Sequence, residues 1–303
     1  GPRRCTSRAL INIRGLKRMA ADYAGKVPPP ECAPSTGKRI AVVGGGPGGL
    51  SAAYYLQLMG HQTTVFEMLP KLGGMLRYGI PNYRLPKDRL DEDIQAILET
   101  GVQVEFGKRI GKDITIQSLR QEYDAVLISI GASTDKKLGI EGEHAEGVIS
   151  AVSFLRDVGE DKSPDLTGQE VAVIGGGNVS MDAVRTAKRL GAKKVSIVYR
   201  RRTADMTALP AEIEGAVAEG IEVLTLKAPS RIDTDENGHV SGIYVTPQMI
   251  SKIKDGRASV CPTGEEDFLI PCQTLIVAIG QDIESEHFAE AGVPVSRGKI
   301  MTE

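Results

Sequence analysis

Several residue types are scarce in this 303-residue chain, and each shortage argues against a class of function. Tryptophan is absent and aromatic residues make up only 4%, which argues against an aromatic stacking platform for single-stranded nucleic acid. No apolar run approaches the roughly 18 residues that span a bilayer. The net charge of −2 gives no basis for binding nucleic acid or an anionic membrane surface. We therefore expect neither nucleic acid nor a membrane among its partners.

Cysteine and histidine are also rare, with four residues of each. The cysteines lie far apart without a CxxC pair, so they predict neither a disulfide framework nor a complete metal site, and a reducing, cytoplasmic setting fits them best. The scattered histidines predict surface positions rather than a metal cluster or a nucleophile–base pair. With 41% hydrophobic and 25% charged residues, the composition is that of an ordinary globular chain of about two domains. The cysteines are Cys5, Cys32, Cys261 and Cys272, and the histidines are His61, His144, His239 and His287.

Residues 39–67 carry the motif around which the chain is organised, RIAVVGGGPGGLSAAYYLQLMGHQTTVFE. An apolar strand meets a glycine turn, a helical stretch follows, and a second strand ends on an acid. Gly44 makes the tight turn, Gly46 lets the backbone approach a pyrophosphate, and Gly49 lets the helix close on the strand. The amides of the helix N-terminus then face the phosphate charge. Glu67 is placed to accept hydrogen bonds from a ribose diol.

Residues 170–199 repeat this device, with the strand EVAVI followed by GGGNVS, a helix and a second strand. Ser180 takes the third small-residue position. This second strand runs into Arg200, Arg201 and Arg202 instead of an acid, and a guanidinium binds the 2′-phosphate that a carboxylate would repel. The alternative interpretation of the arginines is a solvated strand end. One unit is thus predicted to bind a ribose diol and the other NADPH, and two such sites predict a flavin reductase.

The first 26 residues are basic and contain a single acid. An acid-poor, arginine-rich, amphipathic start is typical of a transit peptide. However, Ile13, Leu16, Ala20 and Tyr23 also fall on one helical face, as they would in a docking helix. A proline-rich linker at residues 27–38 leads to the first strand.

The rest of the chain predicts further strands and helices. Residues 68–90 combine turns with large side chains, so we do not expect a plain surface loop there. Two predicted strands run into Gly131 and Gly280, and these matching exits predict the hinge between two domains, although either glycine alone could mark only a turn. The predicted helices are residues 91–100, 152–158 and 211–219, and the predicted strands are residues 102–106, 123–130 (buried), 221–226, 240–246 and 271–279.

Residues 233–238 imitate the opening of a calcium-binding loop. The twelfth position of such a loop requires a bidentate Glu, and Tyr244 stands there instead. Asn237 and Gly238 between two strands therefore predict a hairpin turn.

Several motifs occur together in this chain. They are the two glycine turns, GGMLRYGIP at residues 73–81, RLPK at residues 84–87, MD at residues 181–182, YRR at residues 199–201 and AIGQ at residues 278–281. Together they resemble the small subunit of NADPH-dependent glutamate synthase. The wider group includes the flavin subunits of electron-bifurcating transhydrogenases. The resemblance covers about residues 11–302.

The resemblance implies an α/β fold with two Rossmann-like dinucleotide-binding domains, the NAD(P)H domain being inserted in the FAD domain. It divides the chain into an N-terminal helix and linker (1–36), a first FAD part (37–142), an NAD(P)H domain (143–276) and a return to the FAD domain (277–303). It implies FAD contacts for Gly44, Gly46, Pro47, Gly48, Gly49, Glu67, Gly74, Met75, Arg77, Ile80, Pro81 and Gly131. It implies NAD(P)H contacts for Gly175, Gly177, Asn178, Val179, Ser180, Arg200, Arg201 and Gly280. It also favours the docking helix at residues 13–23, which in this family follows an iron–sulfur cysteine cluster.

Three features depart from the family pattern. Cys5 would be a single remnant of that cluster, and because iron–sulfur clusters usually need four thiolates, we expect none on this chain alone. The sequence stops at Glu303, before the Gly-Asp segment that completes the flavin site in the family, so we expect a fragment. The run MTALPA at residues 206–211 is longer than the Met-Pro-Ala form of the glutamate synthase subunit, which points away from glutamate synthase itself.

These observations predict a flavoprotein electron-input module. NADPH, or NADH, would pass a hydride to FAD, and electrons would leave through iron–sulfur centres in a missing segment or a partner subunit of a redox complex. Hydride transfer needs no side-chain acid or base, so we predict no catalytic residue and no metal ligand. The absence of CxxC in the second unit argues against a dithiol relay. The alternative is a nucleotide-binding or assembly subunit without turnover.

Overall fold

The computed structural model describes residues 11–132, 134–254 and 257–301, so the expectation for Cys5 lies outside the described residues. Strands and helices alternate in the first part of the chain. Its elements are α1 (Ile13–Tyr23), β1 (Arg39–Val43), α2 (Pro47–Leu58), β2 (Gln62–Glu67), α3 (Met75–Tyr78), α4 (Lys87–Leu98), β3 (Gln103–Phe106), α5 (Ile116–Glu122) and β4 (Ala125–Ile128).

The four strands form a parallel sheet in the order β3-β2-β1-β4. Val42 in β1 and Val65 in β2 are fully buried, and they pack against Leu50 and Ala53 of α2. Burial of each such large apolar side chain contributes about 1.5–3 kcal/mol. This packing fixes α2 directly behind the glycine turn.

Strand β4 corrects one prediction. The apolar run predicted a buried strand over residues 123–130, whereas β4 spans Ala125–Ile128 and is only partly covered. Because β4 lies at the edge of its sheet, one of its long sides has no neighbouring strand within the described part of the chain, and Leu127 is 38% exposed.

A second parallel sheet follows, in the order β6-β14-β7-β8-β9. Helix α7 packs on β7 and β8 as α2 does on β1 and β2. The elements of this part are β5 (Thr134–Asp135), β6 (Val148–Ser150), α6 (Ala151–Gly159), β7 (Glu170–Ile174), α7 (Asn178–Arg189), β8 (Lys194–Tyr199), a 3₁₀ turn (Thr203–Asp205), α8 (Pro210–Ala218) and β9 (Glu222–Thr225). Strand β14 (Thr274–Val277) joins the sheet from further along the chain.

An antiparallel sheet is inserted before β14, and it corrects two predictions. The strand predicted at residues 240–246 continues through Pro247 to Lys254. Pro247 lacks an N–H group, yet it lies where the strand changes partners. The strand predicted at residues 271–279 is shorter and spans Thr274–Val277, because Pro271 is the last residue of a strand in the antiparallel sheet and the chain changes sheets after it. The inserted strands are β10 (Lys227–Thr234), β11 (Val240–Lys254), β12 (Arg257–Pro262) and β13 (Phe268–Pro271).

The hairpin turn between β10 and β11 is confirmed. Asp235 accepts hydrogen bonds from the N–H groups of Asn237 and His239 at 2.9 and 3.0 Å. The described residues contain no group of three or more side chains that could hold a metal ion.

The chain then returns to the first sheet through β15 (Gln281–Asp282), α9 (Glu286–Glu290), β16 (Val295–Ser296) and β17 (Lys299–Ile300). Phe288 and Val293 pack in one core cluster with Ala41, Phe66 and Leu119 of the first unit. Where the chain crosses between the sheets, β15 pairs antiparallel with β5. The two strand exits singled out in the sequence thus lie beside each other. No helix in the described ranges is long and apolar enough to cross a membrane.

Candidate functional site

The first glycine turn is closed by contacts that exclude any side chain. Gly44 has φ +109°, and a Cβ there would lie 2.3 Å from the carbonyl oxygen of Ser129. A Cβ on Gly49 would lie 1.9 Å from the carbonyl oxygen of Gly44. The predicted roles of Gly44 in the turn and of Gly49 in helix–strand packing are therefore confirmed. Helix α2 begins at Pro47 without a side-chain cap, which leaves its first amides for an anion.

Glu67 is held rigidly at the end of β2. Glu67 is 6% exposed, and its carboxylate accepts hydrogen bonds from the N–H groups of Gly45 and Leu69, each at 2.8 Å. Each carboxylate oxygen has a second lone pair, so the group retains capacity to accept from two vicinal hydroxyls. The fixed acid therefore fits a ribose diol.

A cavity of about 620 Å³ opens beside this turn, and we call it the first cavity. A smaller cavity of about 80 Å³ adjoins it and shares Gly44, Glu67 and Gly131. The structure brings eight predicted residues to the wall of the first cavity: Gly44, Gly46, Pro47, Gly48, Glu67, Gly74, Met75 and Gly131.

Four residues predicted to contact FAD do not line either cavity: Gly49, Arg77, Ile80 and Pro81. The guanidinium of Arg77 is buried and donates to the carbonyl oxygen of Leu72 and to Asp91. The contacts of Arg77 hold the loop around Gly73 and Gly74, which is a structural role. The predicted contact of Arg77 with FAD stays a prediction.

The sequence reasoning missed several charged residues of the first cavity. Arg109 and Lys112 follow β3, and Arg156 projects from α6 of the second unit. Glu284 holds Arg109 through both carboxylate oxygens, at 2.7 and 2.9 Å. The position of Arg109, just after a strand, could have indicated a site residue. The carboxyl ends of parallel strands meet at one edge of the sheet, where ligands bind. Arg156 and Glu284 gave no local signal.

The second glycine turn repeats the first in detail. Gly175 has φ +144°, and a Cβ there would lie 2.3 Å from the carbonyl oxygen of Ala278. Helix α7 begins at Asn178, again without a side-chain cap. A cavity of about 600 Å³, the second cavity, opens at this helix N-terminus. Seven predicted residues line it: Gly175, Gly177, Asn178, Val179, Arg200, Arg201 and Gly280.

Two residues predicted to contact NAD(P)H, Ser180 and Asn178, have side chains that make contacts within the protein. Ser180 is fully buried outside the cavity wall, so it serves the contact of α7 with the turn. Asn178 lines the cavity, but its side-chain oxygen accepts a hydrogen bond from the N–H of Leu209 at 3.0 Å. The side-chain oxygen of Asn178 therefore anchors the loop at Leu209, and the contact of Asn178 with NAD(P)H stays a prediction.

The three arginines after β8 differ in their contacts. Arg200 and Arg201 line the second cavity, whereas Arg202 donates from Nε and Nη2 to Asp205 at 2.7 and 2.8 Å. The Nε of Arg201 is buried and has no hydrogen-bond partner among the described residues. An unsatisfied buried donor is costly, and a phosphate oxygen would satisfy it. The second cavity therefore fits a 2′-phosphate.

The two cavities meet at α6. Val152 lies on the wall of both, and Arg156, one helical turn later, lines only the first. Groups bound in the two cavities would thus approach each other across one helix. The cysteines in the described ranges, Cys32, Cys261 and Cys272, are free thiols, and none of the three lines either cavity.

The sequence of this chain matches a known protein family and several known proteins. The family model described as pyridine nucleotide-disulphide oxidoreductase matches residues 38–303. The chain is 40% identical over 298 residues to the NADP(+)-dependent formate dehydrogenase subunit beta of Moorella thermoacetica, covering 89% of this chain and 42% of that protein. It is 31% identical over 307 residues to the glutamate synthase (NADPH) small chain of Escherichia coli, covering 96% and 65%. The chain thus spans less than half the length of the first of these relatives.

Among solved structures, FprA of Mycobacterium tuberculosis in complex with NADPH is similar. The TM-score is 0.68 at 23% identity, covering 83% of this chain and 72% of that one. At this identity the likeness establishes the fold alone: two Rossmann-like α/β domains in one chain.

Proposed function

Because this chain belongs to the pyridine nucleotide-disulphide oxidoreductase family, we propose that it is a flavin-dependent electron-input module. In this proposal NADPH delivers a hydride to FAD, and the electrons pass on to iron–sulfur centres of a partner subunit. The observation that carries the proposal is the pair of cavities that meet at Val152. One is bordered by an acid at its strand end and the other by arginines.

The first cavity would hold FAD. The N-terminal amides of α2 would face the diphosphate, and Glu67 would accept from the ribose hydroxyls of the adenosine half. The wall of this cavity carries three cationic side chains, Arg109, Lys112 and Arg156, and three carboxylates, Glu67, Asp113 and Glu284, of which Glu284 holds Arg109. The glycine turn and the fixed acid at the strand end are the features that are compatible with a dinucleotide.

The second cavity would hold NADPH. The N-terminal amides of α7 would bind its diphosphate, and Arg200 and Arg201 its 2′-phosphate. When bound, the two cofactors supply the redox chemistry themselves, and the protein supplies binding and orientation. Helix α6 would set the distance at which they meet. NADH lacks the 2′-phosphate, so it is the weaker donor in this proposal.

We propose the domain division predicted from the sequence, with residues 37–142 and 277–303 forming the FAD domain around residues 143–276. The membership of the two parallel sheets supports it. The core cluster that joins Phe288 and Val293 to β1 and β2 supports the return of the chain.

The partner and the cellular setting are also proposals. The similar proteins from Moorella thermoacetica and Escherichia coli are named as a subunit and a small chain, which supports an assembly with another subunit. Since the described residues offer no cluster of metal ligands, iron–sulfur centres are assigned to a partner or to a segment outside them. The spacing of the cysteines supports a cytoplasmic setting.

Anaerobic reduction tests this function. The purified chain is loaded with FAD, its flavin absorbance is recorded, and NADPH is added without oxygen. Bleaching of the flavin band is expected at stoichiometric NADPH. Binding of both nucleotides without bleaching would instead establish the non-catalytic nucleotide-binding or assembly subunit. Failure to bind FAD would limit the function of this chain to the second cavity.

A further inference from the structure

The loop at residues 206–211 folds back over the second glycine turn. The N–H groups of Thr207 and Ala208 both donate to the carbonyl oxygen of Gly176, at 3.0 and 3.1 Å. The N–H of Leu209 donates to the side chain of Asn178 at 3.0 Å. Three hydrogen bonds therefore fix the position of this loop relative to the N-terminus of α7.

Thr207 is the one polar side chain that this anchored loop presents to the second cavity. Its neighbours Met206 and Ala208 are buried at 9% and 6% exposure, whereas Thr207 is exposed and lies on the cavity wall. Its hydroxyl lies 3.5 Å from the position that a Cβ on Gly177 would occupy. The hydroxyl is therefore held beside the first residues of α7.

We propose that the Thr207 hydroxyl donates a hydrogen bond to the diphosphate of the bound nicotinamide nucleotide. The uncapped amides of α7 are the anion site of this unit, and a neutral donor beside them adds a charge-assisted hydrogen bond. Arg200 and Arg201 lie after a different strand and would bind the 2′-phosphate. Thr207 would thus contact the diphosphate, which NADPH and NADH share. This inference rests on the function proposed above for the second cavity.

Nucleotide titrations of Thr207→Val test the proposal. Valine keeps the shape of threonine and removes the hydroxyl. NADP⁺ and NAD⁺ are the probes, because the oxidised nucleotides do not reduce the flavin during the titration. We expect the Kd of both to rise by about tenfold, which corresponds to the loss of one hydrogen bond to a charged group.

Two matched variants separate the hydroxyl from the fold of the loop. Thr207→Ser retains a hydroxyl and is expected to keep the Kd within about twofold of the parent. Thr203→Val changes an exposed threonine of the same connection that does not line the cavity, and it is expected to leave the Kd unchanged. The thermal unfolding midpoint of all three variants is measured alongside.

Each outcome of these titrations either supports or overturns the role proposed for Thr207. An unchanged Kd in Thr207→Val while the parent binds both nucleotides would overturn this inference and leave the proposed function intact. A loss confined to NADP⁺ would also overturn it, because the hydroxyl would then serve the 2′-phosphate. If the parent chain binds neither nucleotide, the proposed function fails and this inference with it. A loss common to both nucleotides, restored by serine, supports the diphosphate contact.

Discussion

The three consecutive arginines Arg200, Arg201 and Arg202 differ in the contacts that their side chains make. Arg202 is held by Asp205, whose carboxylate also accepts from the N–H of Ala258 at 3.0 Å. The hydrogen bond from Arg202 keeps the pKa of Asp205 well below its usual range. Arg202 is therefore part of the structure that supports β12, while Arg200 and Arg201 face the second cavity.

The double variant Arg200→Asp with Arg201→Ser is expected to lose the preference for NADPH over NADH. Two charge-assisted contacts are removed and a repelling carboxylate is added, so the ratio of the two Kd values is expected to fall by at least about tenfold. Titration with each nucleotide measures the ratio. Arg202→Ser is the matched control, and it is expected to leave the ratio within about twofold. An unchanged ratio in the double variant would contradict the assignment of the 2′-phosphate site.

Lys87 is a second residue whose properties are set by its surroundings. Its ammonium group is half-buried and donates to the carbonyl oxygens of Leu76 and Ile80 at 2.8 and 2.5 Å. Burial, with a smaller contribution from the charge of Arg77, lowers the pKa of Lys87 to about 8. The folded state therefore binds the proton of Lys87 less tightly than the unfolded chain does.

A pH dependence of stability follows from this lowered pKa. Below pH 8 the folded state carries the full cost of the charged group, and the cost disappears as the pH rises toward 10.5, the ordinary value for lysine. Relative to Lys87→Gln, the free energy of unfolding of the parent is expected to rise by roughly 1–2 kcal/mol across this window, because solvent screening reduces the full effect. Urea unfolding at a series of pH values measures this difference. A difference that falls with pH would refute the lowered pKa.

At the scale of the element, each glycine turn sets the angle at which a helix leaves its strand. Gly48 and Gly49 are adjacent in α2, yet only Gly49 faces backbone. A Cβ on Gly48 would lie 2.8 Å from the Oγ of Ser129, which is a side-chain atom that can rotate. The backbone carbonyl that faces Gly49 cannot move without opening the turn.

Gly49→Ala is therefore expected to destabilise the fold by about 2–4 kcal/mol, through overpacking against the carbonyl oxygen of Gly44. Gly48→Ala is expected to change the free energy of unfolding by less than about 1 kcal/mol, because alanine is also the better helix former. Urea unfolding of the two variants is compared with that of the parent. Equal stability of the two would show that the turn relaxes more easily than this geometry allows.

At the scale of the whole molecule, one side chain from the first unit joins a charged cluster on the second. Arg84 donates to both oxygens of the buried Asp182 at 2.8 Å and lies 3.2 Å from Glu212. The adjacent Tyr83 packs beneath Arg189, whose guanidinium carbon lies 3.7 Å from the ring centroid. Burial raises the pKa of Asp182, while its pairing with Arg84 opposes this shift, and burial raises the pKa of Tyr83 to about 12. These contacts fix one unit against the other.

Arg84→Met is expected to lower the free energy of unfolding by about 2–4 kcal/mol, because it leaves the Asp182 carboxylate buried without its main partner. Chemical denaturation measures the loss. Arg89→Met is the control, since Arg89 pairs with Glu92 on the surface at 49% and 63% exposure, and a loss below about 0.5 kcal/mol is expected. Comparable losses in the two variants would contradict a specific role for Arg84 between the units.

The sequence by itself determined the two nucleotide-binding units. The strand, the glycine turn, the helix and the residue that ends the second strand lie within about 30 residues of one another, so their arrangement follows from local geometry. For this reason the positions of Gly44 and Gly175 in the turns, and of Glu67 and Arg201 at or just after the strand ends, could be predicted from the order of residues alone. The hairpin at residues 235–238 is local for the same reason.

Only the tertiary structure decided what completes the cavities. Arg109 and Glu284 are 175 residues apart, Arg84 and Asp182 are 98 apart, and no local pattern records such pairs. Which strands and helices become neighbours also decides three other features. These are the partial exposure of β4, the change of sheet after Pro271 and the position of Val152 on the walls of both cavities. Contacts between distant segments are fixed by packing of the whole chain. This packing leaves the Nε of Arg201 without a hydrogen-bond partner among the described residues, whereas Asp205 holds Arg202.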